Sequence, residues 1–170
     1  MTLDVQEPFL AALAQHKGIL FKVAHAYCHR REDRSDLIQE TIAELWGAWP
    51  RYDGRAKVST WIYRVAMNVA ISAYRREGRR IRDALPIDEF GLNIAAADRV
   101  MDSEDDDLRS LHQFIARLDE INRALVLLYL DGYNQSEIAE MLGISVTNVT
   151  TRMHRTKQRL RRDHAAEEGK

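Results

Sequence analysis

Three sets of side chains have types and spacings suited to chemistry. Asp36, Glu40 and Glu44 repeat at four-residue steps with Gln39 beside them, so a helix would stack the carboxylates on one ridge. Paired carboxylates can do general acid–base work, but nothing else in the chain reads as a pocket for it. Like charges stacked this way slightly destabilise an isolated helix, which points to a basic protein surface as their partner; a plainly solvated face is the alternative. His25, Cys28 and His29 would share a helical face and are zinc-ligating types. No second ligand pair follows at zinc-site spacing, so the trio reads as core and surface filler, and no metal or other cofactor is implied. The third set is cationic. Thr60, Arg64, Asn68, Ser72 and Arg75 form a polar strip continued by Arg76, Arg79, Arg80 and Arg82, and no acid occurs from Thr150 to Arg162. Arginine can hold phosphates, and arginine and asparagine can read base edges. Tyr52, Tyr63 and Tyr74 are available for base stacking, although each taken alone reads better as packing. No phosphate loop, nucleophile elbow or metal quartet appears, so no catalytic residue is assigned and an enzyme is not expected.

The elements that must position these groups are helical. Phe9, Leu10 and Leu13, then Leu20, Val23, Ala24 and Tyr27, form apolar strips on a helix from about Glu7 to Arg31, with Gly18 as a break. Ser35 or Asp36 should open a second helix running to Trp49, with Leu37, Ile38, Ile42, Leu45, Trp46 and Trp49 inward. After a polar loop, Ser59 should cap a third helix to about Arg76, with Val58, Trp61, Ile62, Val65, Val69 and Ala73 inward. From Gly78 to Asp107 helical periodicity fails, and Asp98–Asp107 holds six acids against one arginine, which predicts an extended acidic linker. Periodicity resumes at Leu108, Leu111, Ile115 and Leu118. Asp119 should cap a helix from Ile121 to Leu130 that closes at Gly132.

Next comes a stretch with unusually complete start and stop chemistry. Asn134 and Glu137 have capping-box spacing; Ile138, Ala139 and Leu142 share a face; Gly143 can turn through positive φ. Ser145 is a second cap, for a helix from Val146 to Arg162 that carries Val149 and Met153 inward. These offsets predict a helix-turn-helix whose second helix would lie in a DNA major groove. A helical hairpin with a solvated basic face is the bland alternative.

The fold class is therefore all-α: two small helical domains, an N-terminal bundle and a C-terminal helix-turn-helix domain, joined by a flexible acidic linker. The expected bounds are 1–77, a linker 78–107, 108–163, and a disordered tail 164–170. With 170 residues and 45% hydrophobic content the chain can build such cores. No apolar run approaches membrane-spanning length, Asp4 and Glu7 stand where a signal peptide would be basic, and Cys28 is the single cysteine. Together these predict a cytoplasmic protein with no membrane insertion. The net charge of −1 conceals segregation, with basic clusters at Arg75–Arg82 and Arg152–Arg162 apart from the acidic run.

The order Asp36-Leu37-Ile38-Gln39-Glu40 through Leu45-Trp46, Ser59 through Asn68 ending in Tyr74-Arg75-Arg76, then Gly132-Tyr133, Glu137 through Ser145, Val149 and Thr151 through Arg155 resembles the sigma-70 family of transcription initiation factors, in its small extracytoplasmic-function (ECF) group. The resemblance covers roughly Phe9–Arg76 and Leu108–Arg162. It implies a non-enzymatic subunit of RNA polymerase that directs promoter-specific initiation. Asp36, Gln39, Glu40 and Glu44 would dock on core RNA polymerase. Tyr52, Arg55, Lys57, Trp61, Arg64, Asn68, Arg75 and Arg76 would engage the minus-10 promoter element and assist strand opening. Ser145, Thr147, Asn148, Thr150, Thr151, Arg152, His154, Arg155 and Arg159 would face the minus-35 element. The linker would thread towards the polymerase active-site and RNA-exit channel, its acids either mimicking nucleic acid or merely keeping it soluble. Control would come from a separate inhibitor, an anti-sigma factor, or from expression level, since no extra sensory domain is evident. Two positions depart from the family pattern: Asp119 stands where proline usually follows leucine, and Thr150 where lysine is frequent. The first should change only a helix start. A stand-alone helix-turn-helix regulator binding duplex DNA is the alternative, but the acidic ridge and the Trp61–Asn68 face would then lack a purpose.

Overall fold

The computed structural model describes residues 3–84 and 106–168, and side chains within 6–79 and 108–166. Among the described residues there are seven α-helices, one 3-10 turn and no strand. They fall into two units, α1–α3 and α4–α7. Most of the expected linker, 85–105, lies outside the described residues.

The first unit packs α1 (Leu3–Tyr27), α2 (Arg31–Ala48) and α3 (Val58–Ala84) against one another. Helix α1 buries Phe9, Leu20, Val23, Ala24 and Tyr27 and runs unbroken through Gly18. It starts earlier and ends earlier than the expected Glu7–Arg31. Helix α2 in turn starts ahead of Ser35 and Asp36, so neither residue is its cap. Arg30 occupies that position without a side-chain hydrogen bond. Glu32 and Asp33 in the first turn suit the positive end of the helix dipole, and Arg34 Nε donates to the Cys28 carbonyl at 2.9 Å, tying the turn. Leu37, Thr41 and Leu45 form the buried line of α2, with the Thr41 hydroxyl donating to the Leu37 carbonyl at 2.7 Å. Two residues expected inward are half outside: Leu10 is 49% and Trp46 47% exposed.

Ser59 lies inside α3, not at its cap; the Lys57 carbonyl accepts the Trp61 N–H at 3.0 Å and begins the ladder. The helix also runs past Arg76 to Ala84, beyond the expected boundary at 77. No proline intervenes before Pro86, and one glycine, Gly78, costs too little to stop a helix of this length. Besides Ile62 and Val69, α3 buries Tyr63, Ala66, Met67, Ala70 and Ile71. A helix touching two neighbours needs an apolar arc wider than one face, and the small Ala66 and Ala70 let them approach closely.

In the second unit α5 (Glu120–Leu130) packs against α4 (Asp106–Ala116), α6 (Gln135–Leu142) and α7 (Val146–Glu168). Leu125 and Leu128 of α5 are buried, as are Ile138, Ala139 and Met141 of α6 and Val149, Met153 and Thr156 of α7. Met141 takes the buried place expected of Leu142, which is half-buried. Leu108, expected to begin the α4 strip, is exposed, whereas Phe114, Ile115 and Leu118 are buried. Arg123 is only 1% exposed; one of its terminal nitrogens lies 2.7 Å from the Ala116 carbonyl and 3.0 Å from that of Leu118. It thereby satisfies carbonyls at the end of α4 that the helix leaves open. The tail expected from 164 is helical as far as Glu168: the Arg159–Asp163 pair at 3.9 Å and the good helix formers Ala165, Ala166, Glu167 and Glu168 carry it to the edge of Gly169.

Candidate nucleic-acid interface

The α6–α7 pair is built as its residue types predict. Asn134 Oδ1 accepts from the N–H groups of Ser136 and Glu137 at 3.0 Å each, and Glu137 Oε2 accepts from Asn134 N–H at 2.7 Å, a complete capping box. Gly132 (φ 87°) closes α5 while Tyr133 N–H reaches the Leu128 carbonyl. Gly143 (φ 66°) closes α6 while Ile144 N–H reaches the Ala139 carbonyl. Both are left-handed terminations that a side chain would strain. Ser145 Oγ accepts from Asn148 N–H at 3.1 Å and starts α7.

Thr147, Asn148, Thr150, Thr151, His154, Arg155 and Arg159 are all exposed on α7 with Ser145 at its head. Asn148, Arg152, Arg155 and Arg159 follow one another at three- and four-residue steps and so share a face. Some of these side chains are already engaged. The Thr150 hydroxyl lies 2.7 Å from Gln135 Oε1 and 2.9 Å from the Val146 carbonyl, tying α7 back to the start of α6. Arg159 pairs with Asp163 and lies over the Phe114 ring at 6.0 Å. Arg152 is half-buried and turned towards Asn148, Asn122 and Asp119. Lys157 Nζ donates to the Tyr129 phenol at 3.0 Å, and this hydrogen bond, then the lysine's charge, holds the phenol below its ordinary pKa. Asn122, Gln135 and Tyr129 were not legible as neighbours of the face, because each lies far along the chain from its partner on α7.

In the first unit Arg64, Asn68, Ser72, Arg75 and Arg76 of the α3 strip are exposed. The preceding loop exposes Arg55 and Lys57, with Arg55 paired to Asp53 at 3.2 Å. Two aromatics of the expected minus-10 set are embedded in a cluster. Tyr52 stacks on Trp49 (5.6 Å between centroids, 24°) and leans on Trp61 (5.1 Å, 43°), and its hydroxyl donates to the Ala56 carbonyl at 2.5 Å. The ring therefore staples the loop and is not an open stacking platform. Tyr63 is buried, and Tyr74 meets Tyr27 edge-on at 6.2 Å. On α2, Asp36, Gln39 and Glu44 are exposed, and Glu40 accepts an ion pair from Arg76 at 2.9 Å. The ridge and the strip, expected to meet different partners, thus touch through this pair. Beside the ridge, Phe9, Leu10, Gln39, Ile42, Ala43 and Trp46 line an apolar groove of about 410 Å³. His25 Nδ1 lies 2.8 Å from the Phe21 carbonyl, one turn back on α1.

Comparison with known proteins agrees with this two-part layout. The family model for sigma-70 region 2 matches residues 12–80, and that for sigma-70 region 4 matches residues 108–160. The ECF RNA polymerase sigma factor SigE of Mycolicibacterium smegmatis is 29% identical over 151 residues, covering 86% of this chain but only 58% of its own length. ECF RNA polymerase sigma factor SigW of Bacillus subtilis is 27% identical over 166 residues, covering 92% of this chain and 89% of its own. Among solved structures, the fold is shared with the sigma factor RpoE in complex with the anti-sigma factor NepR from Bartonella quintana, at TM-score 0.69 and 19% identity over 94% of this chain and 95% of that one. CnrH, solved in complex with the cytosolic domain of CnrY, superimposes at TM-score 0.65 and 24% identity over 95% and 90% of the two chains. With both regions matched in order across most of its length, the chain belongs to the extracytoplasmic-function group of the sigma-70 family.

Proposed function

We propose that this chain binds core RNA polymerase and selects promoters for it, acting as a specificity subunit without catalytic residues of its own. The observation that carries the reading is the pairing, in one chain and in family order, of an exposed Arg64–Asn68–Arg75 strip with a fully capped helix-turn-helix. In this reading the first unit docks and opens. Asp36, Gln39, Glu40 and Glu44 meet a basic surface of the polymerase, and Arg55, Lys57, Arg64, Asn68, Arg75 and Arg76 meet the minus-10 element. Extruding a base costs a few kcal/mol, recovered by contacts that form only with the unstacked base. With Tyr52 and Trp61 committed to the cluster, the loop residues 53–57 and the polar strip supply those contacts. The second unit inserts α7 into the major groove of the minus-35 element and reads base edges there.

Within the described residues no helix is long and apolar enough to cross a membrane, and we place the protein in the cytoplasm with its polymerase. Because RpoE of Bartonella quintana is held by an anti-sigma factor, we extend that mode of control to this chain. A free-standing regulator would leave the region 2 unit unexplained. The test is reconstitution with core bacterial RNA polymerase on genomic DNA, followed by sequencing of transcript 5′ ends. The expected result is a discrete set of starts that share two upstream elements. Start sites identical with and without the protein would overturn the proposal.

A further inference from the structure

Arg152 lies on the groove-facing side of α7 by position, yet its side chain turns inward. Its Nε donates to Asn148 Oδ1 at 2.8 Å, and one terminal nitrogen lies 3.3 Å from Asn122 Oδ1 and 3.9 Å from Asp119 Oδ1. Asn122 Nδ2 in turn donates to Asp119 Oδ2 at 2.5 Å, while Asp119 Oδ1 accepts the N–H groups of Ile121 and Asn122 at the start of α5. Four side chains thus run in series from the beginning of α5 to the exposed face of α7. Asp119 is the residue that departs from the family's usual proline, and proline could offer neither the carboxylate nor the cap.

We infer that Asp119 and Asn122 are positioning residues that act through Arg152 to fix the amide of Asn148, and so set the base preferred at one position of the upstream element. The inference rests on the reading of α7 as the groove helix. A guanidinium has donors only, so the Asn148 atom beside it must be the carbonyl oxygen. That orientation is chemically enforced. An unconstrained asparagine suits adenine, accepting from N6 and donating to N7. Here one of the two lone pairs of Oδ1 already receives Arg152, while both hydrogens of Nδ2 are left for an outside partner. Asn148 is thereby biased towards a base edge that offers acceptors, guanine N7 and O6 or thymine O4. Arg152 is 36% exposed and lies 3.9 Å from the Asp119 carboxylate; in the proposed arrangement its charge serves this scaffold and not a phosphate.

The full-length protein, assembled with core polymerase, would be offered promoters randomised through the upstream element, and the bound fraction sequenced. Asn148→Ala identifies the position it reads. Asn122→Ala and Asp119→Ser, the serine keeping the helix cap, should relax discrimination at that same position by about tenfold, the scale of one bidentate base contact, and admit adenine. Preferences elsewhere in the upstream element and in the downstream element should stay as they are. The slope of log affinity against log salt should also hold, whereas Arg155→Ala should reduce it by about one contact. Unaltered preference in the Asn122 and Asp119 variants, uniform weakening at every position, or a reduced salt slope in Arg152→Ala would overturn the inference while leaving the reading of α7 intact. If the unmodified protein shows no upstream preference at all, both fall.

Discussion

The two units start their helices in different ways. In the second, Asp119, Asn134 and Ser145 each accept backbone N–H groups at a helix start, and Gly132 and Gly143 end helices in left-handed turns. In the first, α2 begins at Arg30 without a side-chain cap and α3 begins on the Lys57 carbonyl. The first unit is held instead by the breadth of its apolar contacts: α3 buries Ile62, Tyr63, Ala66, Met67 and Ala70 between two neighbours. Short helices cannot be stable on their own, so α6, eight residues long, needs its termini fixed. A 27-residue α3 wedged between α1 and α2 does not. The difference suits the tasks proposed for them. A groove reader must hold a few side chains in register, while a docking and opening unit must present long exposed strips.

The largest expected effect tests the presenting role of the first unit. Reversing both Asp36 and Glu40 to arginine should weaken binding to core polymerase by roughly 100-fold, the range seen when charged partners across an interface are broken. Circular dichroism should stay unchanged, since both side chains lie outside the core. Unchanged affinity would remove the ridge from the docking surface. A middle-sized effect concerns the strip. Arg64→Ala with Asn68→Ala should reduce open-complex formation about tenfold, the scale of one lost base contact, with closed-complex binding affected less. Permanganate reactivity of promoter thymines reports it, and a normal bubble would defeat the assignment. The smallest effect addresses the contrast itself. Asn134→Ala should cost the second unit about 1 kcal/mol, while Ser35→Ala, inside α2 and not at its start, should stay within about 0.5 kcal/mol. Denaturant unfolding of each variant checks this, and equal losses would erase the distinction between the units.

The same contrast decides what could be read from residues alone. Capping chemistry is local, so Asn134–Glu137, Gly143, Ser145 and Asp119 announced the second unit's boundaries. Nothing comparable marks Arg30 or Lys57, and the starts expected at Ser35 and Ser59 lie within helices that begin earlier. Periodicity found the strip on α3 because its exposed residues recur at helical steps. It missed Tyr63, Met67 and Ala70 because a helix buried on two sides has no single face to detect. The family resemblance placed Arg152 in the groove set, but its partner Asn122 is 30 residues away in sequence. Tyr52 reads better as packing, but its partners stay hidden for a similar reason: only the fold brings Trp49 and Trp61 onto its ring.

Arg123 shows that the cations of the second unit belong to two populations. The arginines exposed on α7 sit in water, where dissolved ions compete with phosphate for them. Arg123 is sealed against carbonyls at the end of α4, where such ions do not reach. In the proposed binding mode, raised ionic strength would therefore loosen α7 from DNA without dissolving the joint between α4 and α5, and the second unit would keep its fold for another round.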